Sequence, residues 1–209
     1  MKYSAIDLHW NNCHSCTSRP SRERRWPSWF FQTTAAARII RRVDCGQHYV
    51  RDMNTYIVPY PLVRSIQHDD YPQWRPLWDG YNAFYGRSES TALDEHVTAQ
   101  TWERFFDVTA SMQAFVAELD GRIVGIAHLL FHRSTSRLAD VCYLQDLFTE
   151  EACRGRGVGR SLIQRVLDTA EEAGSSRVYW TTQTTNVAGR ALYDRMAEHR
   201  GFIVYSHEV

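Results

Sequence analysis

The stretch EEACRGRGVGRSLIQRVLDTAEEAG, residues 150–174, decides the fold that we expect for this chain. Its first half places Gly155, Gly157 and Gly159 at every second position, and an amphipathic run follows without interruption. Glycine at the start of a helix costs conformational entropy, so the pattern needs a compensating reason. We favour a backbone that must approach a ligand closely. Tight packing of a strand against a helix is the alternative.

Two familiar glycine motifs do not fit this stretch. Arg160 stands where the dinucleotide fingerprint G-x-G-x-x-G needs its third glycine, and no lysine completes a Walker A loop. What remains is R-x-x-G-x-G, from Arg154 to Gly159, opening a helix directly after a strand. The first amides of a helix are unpaired and carry partial positive charge. With Arg156 and two further arginines nearby, the loop is typical of a pyrophosphate site.

The composition indicates a globular protein with one sizeable core. Lys+Arg and Asp+Glu are balanced at 24 each among 209 residues, which argues against a nucleic-acid partner. No apolar run approaches the ~20 residues that span a bilayer, so we expect no membrane partner. The start of the chain lacks the apolar core of a secretory signal, and five cysteines do not suit a disulfide framework. We therefore expect a cytoplasmic protein.

The residue pattern changes from irregular to periodic near residue 52. Residues 1–52 form an irregular extension in which seven arginines between positions 19 and 42 face one acid, Glu23. Residues 53–209 are periodic and form the expected folded domain. We interpret the extension as a dispensable appendage, or as sequence upstream of a start at Met53.

Other readings of the extension stay open. The spacing C-x-x-C…C-x-x-H is chemically able to hold zinc, but the long gap and the lack of a framing hairpin lead us to expect no metal. The four residues of that pattern are Cys13, Cys16, Cys45 and His48. The arginine run could instead contact nucleic acid or act as a transit peptide.

The periodic part predicts strand, two helices, three strands, helix, strand, helix and strand, in that order. Asp94 is placed to cap the second helix, and Asp120-Gly121 is a two-residue turn between alternating segments. The last strand is expected in FIVYSHE, residues 202–208. A meander that leads into strand–helix–strand units is typical of an α/β domain with a mixed central sheet flanked by helices.

The region from YLQDLF to RGF, residues 143–202, resembles the GNAT family of N-acetyltransferases. The matching pieces are LQDLF on a strand, R-x-x-G-x-G, and a helix with Asn186, Gly189 and Tyr193. The upstream order of elements agrees as well, so the resemblance covers about residues 53–209. It implies the GNAT, or acyl-CoA N-acyltransferase, fold. It looks most similar to the branch that acetylates diamines, polyamines and histones.

The resemblance implies acetyl-CoA as the acetyl donor. The strand before the loop would splay from its neighbour and pair with the pantetheine arm, the loop amides would hold the pyrophosphate, and an asparagine would bond near the pantetheine. The residues so implicated are Leu147, Phe148, Thr149, Arg154, Gly155, Arg156, Gly157, Val158, Gly159, Arg160, Ser161 and Asn186.

The resemblance also implies the catalytic groups. Tyr193 would present its hydroxyl to the thioester sulfur and supply the proton that a departing thiolate needs. Diamine-acetylating relatives often carry Glu-Asp where this chain has Gln145-Asp146, and glutamine is no base. We expect Asp146 to take the amine proton. Glu118, Glu150 or an amine that arrives neutral are the alternatives.

A small diamine or polyamine is the acceptor that the resemblance favours. An amino acid, an antibiotic amine, a protein lysine, or acetyl-CoA sensing without turnover are the alternatives. The aromatic segment from Trp74 to Tyr85 is mostly core by its helical spacing, but its place in the family puts Asp79, Tyr81 and Tyr85 near the amine. Members of the family are often dimers, so the resemblance also allows a homodimer.

Overall fold

A computed structural model provides the structure of the protein, and it describes residues 49–51 and 57–209. Residues 1–48 of the expected extension, with the Cys/His pattern, lie outside the described residues, whereas Tyr49–Arg51 form a strand. The strands, in chain order, are β1 (Tyr49–Arg51), β2 (Ile57–Pro59), β3 (Leu62–Ser65), β4 (Met112–Leu119), β5 (Arg122–His132), β6 (Val141–Thr149) and β7 (Val178–Tyr179). The α-helices are α1 (Tyr71–Phe84), α2 (Glu95–Arg104), α3 (Val158–Glu172) and α4 (Val187–Tyr193).

Strands β3 to β7 form one five-stranded sheet in chain order, and β1 pairs with β2 in a separate antiparallel ladder. All neighbours in the larger sheet are antiparallel except β6 and β7, which are parallel. The predicted hairpin is confirmed, because Leu119 pairs with Arg122 across Asp120 and Gly121. Both turn residues have positive φ, at 52° and 76°. That geometry matches the twist of paired strands and suits an Asp-Gly turn.

The helices cover the two faces of this sheet. On one face the aromatic residues of α1 and α2, including Trp74, Trp78 and Trp102, pack against Ile126 of β5. The α1 periodicity that the sequence shows is therefore mainly a core pattern. Asp94 caps α2 as predicted, since its Oδ1 accepts from the His96 amide at 2.7 Å.

Helix α3 buries its apolar stripe on the opposite face. Leu162, Ile163 and Val166 are fully buried there. The helix approaches closely because β5 carries Gly125, where a Cβ would lie 2.7 Å from a methyl group of Val158. This contact places the start of α3 directly beside β5 and β6.

The predicted last strand is wrong. Residues 200–209 form no strand, and Phe202, Ile203, Val204 and Tyr205 are exposed. A strand needs a partner ladder, and β7 presents an edge of only two residues. Helix α4 is short and ends at Tyr193.

Candidate functional site

The site is organised around a cleft that opens between β6 and β7. These strands pair only at Cys142↔Val178 and Tyr143↔Tyr179. β7 ends there, whereas β6 continues to Thr149 with β5 as its only partner strand in the described part of the sheet. The cleft is open to solvent, and the 250 Å³ of space free of protein atoms around it includes part of that solvent. Its lining residues are Tyr81, Tyr85, Leu144, Gln145, Leu147, Trp180, Thr181 and Tyr193.

The glycine loop lies where β6 leads into α3. Gly155 and Gly157 have φ of 76° and 85°, and Gly157 is the N-cap of α3. A Cβ at either position would meet no atom within 4 Å. The left-handed backbone is therefore the local reason for these glycines, and the space beside the loop is open.

The first amides of α3 face this open space. The first bond of the helix runs from the Ser161 amide to the Gly157 carbonyl at 3.0 Å. The amides of Val158, Gly159 and Arg160 therefore have no partner among the described residues. No described side chain caps this helix end either. Such an end is a ready anion site, because the unpaired N–H groups and the helix dipole act together.

Three arginines surround the same helix end. Arg154 donates from Nε to the Thr149 carbonyl at 3.3 Å and lies over the Phe148 ring, 5.9 Å from its centroid. Arg156 lies 3.8 Å from Asp120, and Arg160 is exposed. The combination of free amides, open space and nearby cationic groups fits a pyrophosphate. The structure thus brings together the loop residues that the resemblance implicated.

Asn186 has a local function that the sequence did not reveal. Its Oδ1 accepts from the Gly189 amide at 3.0 Å, which caps α4, and its Nδ2 donates to Thr182 Oγ1 at 3.0 Å. A Cβ on Gly189 would lie 2.5 Å from that Nδ2. The Asn-x-x-Gly spacing is therefore explained by capping, and both ends of the amide are engaged within the chain.

Tyr193 is the last residue of α4 and borders the cleft. Its ring meets Trp180 edge-on, with 5.6 Å between the ring centroids. Burial, and to a smaller extent neighbouring Tyr85, raise the pKa of Tyr193 to about 12. The hydroxyl therefore keeps its proton at neutral pH and is able to donate it into the cleft.

Tyr81 and Tyr85 line the cleft from the side of α1, opposite the α3 loop. Asp79 does not line it. Its carboxylate is exposed and binds Arg75 of the same helix at 2.9 Å. Sequence proximity to Tyr81 therefore did not imply a shared direction, because two positions along a helix differ by about 200°.

The alternative bases are engaged elsewhere. Glu118 binds Arg64 at 2.6 Å, and Glu150 binds Arg122 at 2.7 Å. Neither carboxylate lines the cleft. Their ion pairs belong to the edge of the sheet and to the loop before α3.

A β-bulge interrupts the alternation of side chains along β6 at Gln145. His128 pairs with Asp146 while Leu129 pairs with Leu144, so Gln145 has no opposite residue. The extra residue shifts the alternation of the side chains that follow it, so Asp146 lies on the α1 face of the sheet with His128, while Gln145 is exposed and lines the cleft. Asp146 is only 7% exposed and lies behind Tyr81.

Asp146 belongs to a buried chain of polar side chains. Trp74 Nε1 donates to His128 Nε2 at 3.0 Å, so Nε2 carries no proton and Nδ1 donates to Asp146 Oδ2 at 2.9 Å. Tyr81 faces the same carboxylate. Burial first, and then the charge and hydrogen bonding of Asp146, raise the pKa of Tyr81. This series of hydrogen-bonded side chains thus runs from the core to the wall of the cleft.

His128 is a residue whose importance the sequence did not show. It is 1% exposed and touches the carboxylate that we expected to act as base. Its period-2 partner His132 is exposed and instead binds the Tyr179 hydroxyl at 2.9 Å. Only the register of β5 against β6 distinguishes the two histidines, and no local pattern specifies that register.

The comparison with known proteins agrees with this geometry. The profile of the Acetyltransferase (GNAT) family matches residues 66–197. D-amino-acid N-acetyltransferase HPA3 of Saccharomyces cerevisiae is 33% identical over 147 residues, which are 69% of this chain and 88% of that protein. L-2,4-diaminobutyric acid acetyltransferase of Nocardia farcinica is 34% identical over 86 residues, which are 41% of this chain and 43% of that protein.

Solved structures share the fold. One is AAC(6')-Iy in complex with the bisubstrate analogue CoA-S-monomethyl-acetylneamine, with a TM-score of 0.60 and 18% identity. The match covers 72% of this chain and 99% of that one. Its low identity supports the fold alone.

The chain belongs to the Acetyltransferase (GNAT) family. It is an N-acetyltransferase, and its acetyl donor is acetyl-CoA. The expected fold class is confirmed, whereas the branch within the family is not established by these relatives. Within residues 57–209 no helix is both long and apolar enough to cross a membrane.

Proposed function

We propose that the enzyme acetylates the primary amine of a small molecule that enters the cleft past Tyr81 and Tyr85. The observation that carries the proposal is the meeting of two proton-handling groups at one cleft. Tyr193 borders it from α4, and Tyr81 connects it to Asp146 from α1. Acetyl transfer to an amine needs a proton acceptor on one side and a proton donor on the other.

The donor side is formed by the glycine loop. Acetyl-CoA, when bound, supplies an electrophilic thioester carbonyl and a thiolate leaving group. The amides of Val158, Gly159 and Arg160 and the guanidinium groups of Arg154 and Arg156 would hold its pyrophosphate. β6 from Leu147 to Thr149 lies along the open side of the cleft, as an extended arm would require. The Tyr193 hydroxyl would hold the proton that the leaving sulfur takes up.

The acceptor side would remove a proton from the amine. Asp146 does not itself line the cleft, so we propose that the proton moves through Tyr81. The amine gives a proton to the Tyr81 oxygen as the Tyr81 hydroxyl gives its own to Asp146, which leaves Tyr81 neutral. The raised pKa of Tyr81 suits this role, because the phenol does not persist as an anion. His128 would hold the carboxylate in place.

Two acceptor classes deserve to be compared. The resemblance favours a diamine or polyamine, whose ammonium groups would pack on the rings of Tyr81, Tyr85 and Trp180. The names of two relatives favour amino acids, since one acts on D-amino acids and the other on 2,4-diaminobutyrate.

A panel of amines distinguishes these classes. Release of free coenzyme A thiol from acetyl-CoA would be measured with polyamines, diamines, D- and L-amino acids, an aminoglycoside and a histone peptide. We expect turnover with at least one small amine. Turnover with the histone peptide alone would contradict a small-molecule acceptor.

Asp146→Asn tests the proposed proton acceptor. It should lower kcat for the accepted amine while leaving the KM for acetyl-CoA unchanged.

A further inference from the structure

Arg87 lies just beyond α1, which carries Tyr81 and is capped by Tyr85. Its guanidinium carbon is 5.8 Å from the centroid of the Tyr81 ring and 5.9 Å from that of Tyr85. Both of those rings line the cleft. The positive group is therefore adjacent to the wall along which an acceptor would enter.

The guanidinium is held in position from within the protein. Its Nε donates to Asn82 Oδ1 at 2.8 Å, and the backbone amide of Arg87 donates to the Asn82 carbonyl at 2.9 Å. Asn82 is 4% exposed, and its own Nδ2 donates to the Trp78 carbonyl at 2.9 Å. The contacts orient Arg87 and use only one edge of its hydrogen-bonding fork.

The two terminal nitrogens of Arg87 have no carboxylate partner among residues 60–209. Other arginines on this side of the sheet are saturated. Arg64 binds both Asp70 and Glu118, and Arg75 binds both Asp79 and Glu95. A half-buried, oriented guanidinium with a free fork beside a substrate cleft is suited to a planar anion, because a carboxylate can accept two parallel bonds from it.

The geometry points to an acceptor that carries a carboxylate close to its amine, an amino acid, with Arg87 as the group that binds the carboxylate. This inference rests on the proposed function and names the class of its substrate. Tyr81 lies between Arg87 and Asp146, so the anion-binding and proton-accepting ends of the site are one side chain apart. A polyamine would bring a second cation toward Arg87 and be repelled.

Matched substrates test the inference with the full-length enzyme. Each amino acid is compared with the amine that lacks its carboxylate: 2,4-diaminobutyrate with 1,3-diaminopropane, and phenylalanine of both hands with phenethylamine. We expect the wild-type enzyme to favour the amino acid of at least one pair in kcat/KM. Arg87→Gln should then raise the KM for that amino acid ~10- to 100-fold. The KM for its decarboxylated partner and for acetyl-CoA should stay unchanged.

Two further variants sharpen the comparison. Arg87→Lys keeps the charge but loses the fork, so its KM should lie between those of the wild type and Arg87→Gln. Arg104→Gln is the matched control, since Arg104 is exposed on α2 and bonds Gln100; its kinetics should equal those of the wild type.

These experiments distinguish failure of the carboxylate inference from failure of the proposed function. Equal use of both members of every pair, or an equal effect of Arg87→Gln on both, would overturn the carboxylate inference and leave the proposed function standing. A wild-type enzyme that turns over none of the small amines would overturn the proposed function and this inference with it.

Discussion

His128 Nδ1 lies 2.9 Å from Asp146 Oδ2, and the tautomer of that histidine is fixed by Trp74 on its other side. Because His128 donates to the carboxylate that Tyr81 also faces, it holds Asp146 in one orientation. A buried carboxylate without such a donor is costly. His128 is therefore a positioning residue in the proposed proton path, although it does not line the cleft itself.

His128→Leu should lower kcat by at least tenfold (about 1.4 kcal/mol or more of lost transition-state stabilisation) with the KM for acetyl-CoA unchanged. It should also lower the free energy of unfolding by about 1–3 kcal/mol, since the carboxylate loses its donor. His128→Gln, which retains an N–H donor, should recover part of kcat. Steady-state kinetics and denaturant unfolding provide both values.

His132→Leu is the control on the same strand, since His132 is exposed and binds Tyr179 away from the cleft. If His128→Leu lowers stability while its kcat equals that of the control, the histidine is a core residue only and the positioning role is wrong.

Features with a local cause could be predicted from the sequence. The Asp120-Gly121 turn, the Asp94 cap and the glycine-to-helix transition at Gly157 each depend on neighbouring residues alone, and each was found where expected. The bulge at Gln145 could not be predicted, because it depends on how β6 aligns with β5 across an irregular loop. One extra residue reverses the direction of a side chain, and that reversal places Asp146 in the buried chain.

The acceptor side of the site could be predicted only in part, since Tyr81 and Tyr85 line the cleft but Asp79 does not. Asp79 and Arg87 both flank Tyr81 in the sequence, yet Asp79 pairs with Arg75 while Arg87 reaches the tyrosine rings. That Arg87 reaches these rings depends on the end of α1 and on the bond to Asn82. Similarly, the apolar tail of residues 202–205 has the composition of a strand but no long edge to pair with.

The backbone angle at Gly157 predicts a graded effect of substitution. Gly157→Val places a β-branched side chain at φ of 85° and should abolish coenzyme A binding, because the start of α3 must rearrange. Gly157→Asn adds a side chain of similar size that tolerates this angle better, so its affinity should fall less. Calorimetry with coenzyme A measures both. Equal, wild-type affinity in the two variants would show that the loop angle is irrelevant to binding.

The buried ion pair of Arg64 and Asp70 should make stability depend on acid pH. Burial on its own would raise the pKa of Asp70, but hydrogen bonds from Arg64 and the Gln67 amide, with the Arg64 charge, outweigh it and lower the pKa. A group with a lowered pKa in the folded state stabilises the fold at pH values above its unfolded pKa of about 4. That stabilisation is lost as the pH falls through the folded-state pKa. Asp70→Asn should cost about 1–3 kcal/mol at neutral pH.

The same variant should lose less stability than the wild type on acidification from about pH 7 to about pH 3. Asp69→Asn, on the exposed neighbouring carboxylate, is the control and should keep the wild-type acid dependence. Parallel curves for wild type and Asp70→Asn would mean that another group governs the acid transition. Urea unfolding at each pH supplies the free energies.

We propose that the domain boundary lies at Met53. A chain that begins there should unfold cooperatively and bind acetyl-CoA as the full chain does, even though it lacks β1. Loss of the cooperative transition would show that the preceding residues pack on the domain.

Metal analysis of the full chain, purified without chelator, should find no stoichiometric zinc. A stoichiometric metal would instead support the site formed by Cys13, Cys16, Cys45 and His48.

Tyr193→Phe tests the proposed proton donor most directly. The ring and its contact with Trp180 are kept, so stability and the KM for acetyl-CoA should change little. Loss of the hydroxyl should lower kcat by ~10²–10⁴-fold.

Because the pKa of Tyr193 is about 12, its ionisation cannot cause a loss of activity under mildly alkaline conditions. Wild type and variant should therefore share one alkaline pH profile up to about pH 10, differing in height only. Tyr179→Phe, outside the cleft, should retain full kcat. If Tyr193→Phe retains it too, the thiolate leaves without this hydroxyl, and the tyrosine serves only to pack against Trp180.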